Sequence, residues 1–239
     1  MKQIIPILSI ITIILTSCNC DKNTQNDVTT NTKGIYTPEK TEPMELTKFE
    51  NIKLLAPNIE SGDALMKCMQ ARKSYREFAE KNLSLKHLSE VLWVANGLNR
   101  PAEHRRTVPS ALALYPLDTY VILSNGIYFY NPEKHELEAI IEGDFRKLAG
   151  LQDFVKTAPV NIIFIANYDR YNGNRKIPQE KQLYLAALDA GHCTENIYLY
   201  CASEGLKSVV RGGAQDAELL KVLGLGNNHQ FVVAHSVGY

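Results

Sequence analysis

The sequence predicts an α+β fold in one domain. Two segments with helical spacing come before the first strand, and β-rich runs then form a hairpin and a buried strand. A long apolar helix separates that strand from a last strand near the C-terminus. Because helices and strands do not alternate as they do in βαβ units, these observations favour an α+β arrangement.

The first two helices are predicted from apolar spacing and capping residues. Residues 63–72 carry apolar side chains at helical intervals, and Ser61 or Asp63 can cap the first turn. A second helix is expected to begin at Ser84 and to end at Gly97.

The first strands are predicted from β-branched and aromatic runs. Residues 119–124 and 127–130 are joined by Asn125 and Gly126, a strong signal for a hairpin. A polar stretch with helical character follows. Residues 160–166 are continuously apolar, which is typical of a central strand buried on both faces.

The longest predicted helix runs from about Gln179 to Glu204 and ends at Gly205. It is apolar on more than one face, so we expect it to lie in the core or in an interface between chains. Residues 231–237 are predicted to form the last strand.

The N-terminus resembles an export signal. Residues 1–17 contain one lysine and an apolar run that is too short to span a bilayer. Leu15-Thr16-Ser17-Cys18 resembles the bacterial lipobox, so Cys18 is the expected lipid attachment point; the alternative is an ordinary secretory signal with a free thiol. Both alternatives predict a protein outside the cytoplasm, and the first predicts a lipid anchor in the cell envelope.

The expected domain organisation has three parts. Residues 1–17 are the lipoprotein signal peptide, and residues 18–43 are a flexible tether that is too polar to form a core. Residues 44–239 form the folded domain, which has the size of a single domain.

Composition argues against a nucleic-acid partner. Lys plus Arg and Asp plus Glu both number 26, so the formal charge is zero and no long-range field recruits a polyanion. A local cluster of Arg100, His104, Arg105 and Arg106 is interpreted as a solvated loop, since no aromatic residues are interleaved with it.

The cysteines and histidines predict neither a disulfide nor a metal site. Cys193 and Cys201 lie on one predicted helix, about 12 Å apart by helical rise, which is too far for a bridge. With Cys68 they are expected to be buried thiols. His229 and His235 have no third ligand at a metal-binding spacing.

A short basic motif follows the first helix. Arg72, Lys73, Ser74 and Arg76 place two guanidinium groups, an amine and a hydroxyl within five residues. Charge-assisted hydrogen bonds from such groups suit a phosphate, although the same motif is also common as a solvated charge cluster at a helix end.

Four further segments follow this motif in order, and together they resemble the nitroreductase family. They are Pro109 to Pro116, Lys181 to Tyr184, Gly205 to Gly213 and the closing Val232 to Tyr239. The resemblance covers about residues 63–239 and is nearest to the branch that includes the peptide thiazole and oxazole dehydrogenases. It implies a domain with a central mixed or antiparallel sheet flanked by helices, which forms a homodimer and holds FMN at the interface.

The resemblance also implies roles for individual residues. The phosphate and ribityl end of FMN would lie at the basic motif, at Arg72, Lys73, Ser74 and Arg76. The partner subunit would contribute Ser110, Ala111 and Ala113, and Gln182 would reach the ribityl chain or the ring edge. Val210, Arg211, Gly212 and Gly213 would line the ring, with the glycines allowing close approach of the backbone. Family members continue past the closing Val-Gly-Tyr into a basic tail that contacts the phosphate, whereas this sequence ends at Tyr239, so Lys207 or Arg211 is the expected substitute.

Two classes of function follow from this resemblance. The first is an FMN-dependent oxidoreductase that transfers electrons between a donor and a small organic acceptor such as a nitro compound or a quinone. Its donor would be NAD(P)H or, because of the export signal, a redox partner of the membrane or envelope. The second is a lipoprotein that binds flavin or another ligand and keeps the fold without turnover.

Overall fold

The computed structural model describes residues 36–172 and 177–239. The expected signal peptide, Cys18 and residues 18–35 of the expected tether lie outside these ranges. Residues 36–43, which the sequence assigns to the tether, contact the folded domain. The Tyr36 hydroxyl donates a 2.7 Å hydrogen bond to Glu204, and Glu39 pairs with Lys86 at 3.4 Å.

The domain is built on one seven-stranded sheet. Its strands, in chain order, are β1 (Ile52–Lys53), β4 (Leu117–Leu123), β5 (Gly126–Asn131), β6 (Glu136–Glu142), β7 (Val160–Asn167), β8 (Lys207–Arg211) and β9 (His229–Gly238). The spatial order is β1-β6-β5-β4-β7-β9-β8, and each neighbouring pair is antiparallel. A separate antiparallel pair is formed by β2 (Leu98–Arg100) and β3 (Arg105–Arg106).

Helices cover both faces of the sheet. They are α1 (Leu65–Ala71), α2 (Leu85–Asn96), α3 (Gln179–Ser203) and α4 (Asp216–Val222). Val121 and Phe164 belong to the core that α2 and α3 complete, whereas Ile122 and Ile163 belong to the core on the α4 side. The alternation of strand side chains therefore buries apolar residues on both faces, which explains the continuous apolar run in β7.

This architecture confirms the α+β prediction, the hairpin and the long helix. Ser84 caps α2 as predicted, since its hydroxyl accepts a 3.1 Å hydrogen bond from the backbone N–H of His87. The three described cysteines are buried free thiols, also as predicted.

Two local predictions are wrong. The N-cap of α1 is Ala64, and neither Ser61 nor Asp63 occupies that position. The polar stretch after the hairpin is the strand β6 and not a helix. Its sequence contains good helix formers, but Leu137 and Ala139 alternate with glutamates and pack against the core, so pairing with β5 overrides local propensity.

Within the described ranges, no helix combines the length and the apolar character needed to cross a membrane.

Candidate functional site

The basic motif is held in place by α1 and β8. The backbone N–H of Arg72 donates to the carbonyl of Cys68 at the end of α1, at 2.8 Å. The N–H of Tyr75 donates to the carbonyl of Ser208 in β8, at 3.0 Å. The motif thus lies beside the sheet edge that β8 forms, next to residues 210–213.

Tyr198 of α3 connects the motif to β8. Its hydroxyl lies 2.8 Å from the Ser74 hydroxyl and accepts a 3.0 Å hydrogen bond from the backbone N–H of Val210. The Arg72 guanidinium carbon lies 5.1 Å from the centre of the same ring, a cation–π distance. The structure therefore brings Arg72, Ser74 and Val210 together, and we call this group the Tyr198 cluster.

Tyr198 was not among the site residues predicted from the sequence. The available signal was a tyrosine within a long, largely apolar helix, since a buried tyrosine hydroxyl usually finds a polar partner.

His235 of β9 supports the Tyr198 ring from the sheet. The two ring centres are 4.7 Å apart in an edge-on arrangement, and His235 is fully buried. Burial, together with the nearby charge on Arg211, lowers the pKa of His235 to about 3. The imidazole is therefore neutral at physiological pH, and it acts as a packing surface beneath Tyr198.

The basic motif is divided between two environments. Lys73, Tyr75 and Lys207 border a cavity of about 290 Å³, which Tyr198 also lines. The Lys73 ammonium lies 4.7 Å from the centre of the Tyr75 ring, and Arg76 is exposed to solvent.

The side chain of Arg211 turns into the core. Its guanidinium group donates to the Ala149 carbonyl, to Asn161 Oδ1 at 3.0 Å and to the Ser236 hydroxyl at 2.9 Å. Because the side chain is buried and its two terminal nitrogens are bonded within the core, the expectation that Arg211 could replace a basic tail at a phosphate is wrong. In the described part of the chain the Lys207 side chain makes no comparable hydrogen bonds, and it borders the cavity beside the basic motif.

The glycines after Arg211 leave the backbone accessible. Gly212 is exposed, and a side chain added there would meet nothing within 4 Å. A side chain at Gly213 would lie 3.3 Å from Leu151. Open space beside the Gly212 backbone lets a flat ring approach it closely.

The other predicted residues lie further along the molecule. Ser110, Ala111 and Ala113 belong to a loop before β4, in which the Ser110 hydroxyl accepts a 2.9 Å hydrogen bond from the N–H of Tyr115. Burial raises the pKa of Asp189 on α3, and Ser110 partly offsets this effect, which places the loop beside Asp189. Asp189 precedes Tyr198 by about 13 Å of helical rise, so this loop is separate from the Tyr198 cluster of the same chain.

Gln182 lies at the same end of α3 as this loop. Its side-chain amide donates a 3.0 Å hydrogen bond to the Ile177 carbonyl, and its own carbonyl accepts from Tyr171 at 2.9 Å. It precedes Tyr198 by about 24 Å of helical rise. The predicted residues therefore form two separate groups on one chain, with α3 between them.

The residues of the Tyr198 cluster fit the phosphate end of a flavin nucleotide. Arg72 and Ser74 supply charged and hydroxyl donors, and Arg76 is exposed nearby in sequence. Gly212, whose backbone is open to solvent, is the first residue after β8. A site of this kind needs an anion-binding end and an accessible slot for a flat ring.

Comparisons with known proteins identify the family of this chain. The model of the family described as the nitroreductase family matches residues 69–239. A candidate nitroreductase of Methanocaldococcus jannaschii is 33% identical over 190 residues, which cover 75% of this chain and 88% of that protein.

Solved structures share the fold. The crystal structure of a candidate nitroreductase from Ralstonia eutropha is 37% identical, with a TM-score of 0.75, and covers 86% of this chain and 96% of its own. The NADPH:FMN oxidoreductase of Vibrio harveyi, solved in complex with NAD⁺, has a TM-score of 0.52 at 19% identity and covers 73% of this chain and 68% of its own. At that identity the second likeness concerns the fold alone.

Proposed function

Because this chain belongs to the nitroreductase family, we propose that it is an FMN-dependent oxidoreductase that passes electrons from a donor to a small organic acceptor such as a nitro compound or a quinone. The family assignment supports an oxidoreductase. The observation that supports FMN as the cofactor is the Tyr198 cluster, which joins Arg72, Ser74 and Val210 beside the open backbone of Gly212. When bound, FMN supplies two-electron transfer between donor and acceptor.

The residues of this chain would bind and orient the cofactor. Arg72 and Ser74 would hold its phosphate, since charge-assisted hydrogen bonds are the stronger kind. Tyr198 contacts both of them and also the N–H of Val210. One side chain of α3 would therefore position the residues at the phosphate and those at the flavin ring. The likeness to the branch that includes the peptide thiazole and oxazole dehydrogenases stays a prediction.

We also propose that the active form is a homodimer. The Tyr198 cluster lies apart from the Ser110–Ala113 loop and Gln182 on one chain. A twofold axis can bring the Tyr198 cluster of each chain close to the Ser110–Ala113 loop of its partner. Large apolar side chains are exposed on α1 and α3, as expected for surfaces that a second chain covers. They include Leu65 at 60%, Met66 at 75%, Tyr184 at 63% and Leu188 at 45% exposure.

The substitution Leu188→Glu should convert the dimer to a monomer at micromolar concentration, because it buries a charge in the interface. Sedimentation equilibrium measures the change, and the monomer should lose its flavin. Ile140→Glu on β6 is a matched control, since Ile140 is 44% exposed and β6 lies near the edge of the sheet opposite to β8. A Leu188→Glu protein that stays dimeric, or a monomer that binds FMN stoichiometrically, would contradict the proposal.

The export signal leads to a proposal about the electron donor. A lipid at Cys18 would hold the domain in the cell envelope, where soluble nicotinamide cofactors are scarce, so a quinol or an envelope redox partner is the favoured donor over NAD(P)H. Mass spectrometry of the mature N-terminus tests the anchor, and an unmodified Cys18 would count against it.

Stopped-flow measurements test both the enzyme and its donor. We expect the bound flavin to be reduced quickly by a water-soluble quinol and to be reoxidised by a nitroaromatic or a quinone. Reduction by micromolar NADH or NADPH would overturn the envelope donor but not the oxidoreductase. Flavin that is reduced by dithionite and never reoxidised by any acceptor under anaerobic conditions would favour the alternative, a binding lipoprotein without turnover.

A further inference from the structure

The pair β2–β3 and the loop before β4 line a polar cavity of about 600 Å³ that is open to solvent. The sequence analysis interpreted the arginines of this region as a solvated loop. In the structure they face a cavity whose walls also include the expected flavin-facing loop. The lining comprises Arg100, Arg105, Arg106, Ser110, Ala113 and Tyr115.

Two of these arginines form no ion pair with an acidic residue in the described part of the chain. Within residues 36–172 and 177–239, no carboxylate oxygen lies within 4.0 Å of Arg105 or Arg106. Their neighbours differ, because Arg100 pairs with Glu103 at 3.7 Å and Arg170 pairs with Asp118. Two guanidinium groups without a direct ion pair therefore give the cavity an excess of positive charge, which the more distant Asp189 on α3 offsets only in part.

Arg106 is the more constrained of the two. It is only partly exposed, and its guanidinium carbon lies 5.0 Å from the centre of the Tyr115 ring. Burial lowers the pKa of Arg106, and the nearby charge of Arg170 lowers it as well. A partly desolvated cation that stacks on an aromatic ring is oriented in advance for a planar anion, which a guanidinium binds through two parallel hydrogen bonds.

The backbone of the adjoining loop is strained. Leu112, Ala113 and Tyr115 have left-handed φ angles of 54°, 54° and 47°. Such backbone strain is costly, and it persists mainly where the surroundings hold it in place for function. Here Ser110 accepts from the Tyr115 N–H at 2.9 Å, and Arg170 donates to the Tyr115 carbonyl at 3.2 Å.

We propose that Arg105 and Arg106 form a subsite for an anionic group, a carboxylate in the first instance, on the acceptor substrate. The proposal rests on the proposed oxidoreductase function. The Ser110–Ala113 loop is expected to lie beside the partner's flavin, and this position would bring a bound anion to the reacting centre. Leu112 and Tyr115 supply apolar surface for the rest of the molecule. The preferred acceptors are therefore small aromatic acids and not neutral aromatics.

Calorimetric titration of the dimeric holoprotein with benzoate, and with benzyl alcohol as its neutral analogue, tests this subsite. Arg106→Gln should weaken benzoate binding about 10- to 100-fold, the range expected for a lost hydrogen bond to a charged group. Binding of benzyl alcohol should change less than about twofold. Arg146→Gln is the matched control, because Arg146 pairs with Asp144 outside this cavity.

A second readout uses turnover without a physiological donor. With photoreduced flavin, reoxidation by 4-nitrobenzoate should need about 10-fold more acceptor for half-saturation in Arg106→Gln, whereas reoxidation by 4-nitrobenzyl alcohol should not change. If Arg106→Gln does not fold, Arg105→Gln serves as the test variant with the same expectation.

Three results would overturn the subsite. One is equal benzoate affinity in the variant and the wild type. Another is equal weakening of the acid and the alcohol. The third is loss of flavin from Arg106→Gln at unchanged thermal stability, which would assign the arginines to the phosphate of the cofactor. A wild-type protein that binds benzoate through Arg106 but holds no flavin would instead leave the subsite in place and contradict the proposed function.

Discussion

The double substitution Arg72→Ala and Arg76→Ala is expected to weaken FMN binding by about 100- to 10,000-fold. Each charge-assisted contact contributes roughly 1.5 to 3 kcal/mol, and a tenfold change in affinity corresponds to about 1.4 kcal/mol. The fold should survive, because Arg76 is exposed and Arg72 contributes mainly a cation–π contact to Tyr198. Fluorescence titration of the apoprotein with FMN measures the affinity.

The control for this experiment removes the same amount of charge elsewhere. Lys48→Ala with Lys147→Ala replaces two exposed lysines that lie outside the Tyr198 cluster. This control should bind FMN as the wild type does. Retention of wild-type affinity by the Arg72 and Arg76 double variant would show that the phosphate is held elsewhere.

Arg211→Ala is expected to lower the free energy of unfolding by about 2 to 4 kcal/mol. The substitution removes hydrogen bonds to the Ala149 carbonyl, Asn161 and Ser236, and it leaves a cavity in the core. For a domain of this size, such a loss corresponds to a fall in Tm of roughly 5 to 15 °C. Urea denaturation at one fixed protein concentration measures it, because an oligomer's stability depends on concentration.

Two comparisons make the Arg211 result specific. Arg100→Ala removes an exposed arginine with a surface ion pair, which contributes at most about 1 kcal/mol. Arg211→Lys keeps the charge but loses the planar fork, so an intermediate loss is expected. A loss below about 1 kcal/mol in Arg211→Ala would mean that the buried guanidinium contributes no more than a surface group.

Local signals in the sequence predicted those elements whose causes are local. The hydroxyl of Ser84 caps α2 by accepting from the N–H of His87, three positions further on. The turn before Gly126 joins two strands that follow each other in sequence. The strand β6 could not be recognised in this way, since its residues favour a helix and only pairing with β5 makes them extended.

The site was predictable as a set of segments but not as a geometry. Resemblance pointed to Arg72, Ser74 and Val210, yet it did not show that Tyr198 joins them, because that contact depends on the rotation of α3 against β8. The side chain of Arg211 points inward because alternate residues of the strand β8 face opposite sides of the sheet, whereas the resemblance implied that Arg211 would line the flavin ring. The arginines near residue 105 were interpreted as solvated because the sequence does not show that the loop a few residues further on, Ser110 to Tyr115, lines a cavity together with them.

The separation of the predicted residues into two groups has a genetic consequence if the dimer forms as proposed. Consider two inactive alleles, one altered at Arg72 and the other at Ser110, expressed in the same cell. In a mixed dimer, one site would carry both lesions and the other would carry neither, because each site takes the Arg72 group from one chain and the Ser110 group from the other. Activity would then reappear in the co-expressing strain, at up to about a quarter of the wild-type level if chains pair at random and half of the dimers are mixed. Such complementation between alleles cannot arise if each chain builds its site alone.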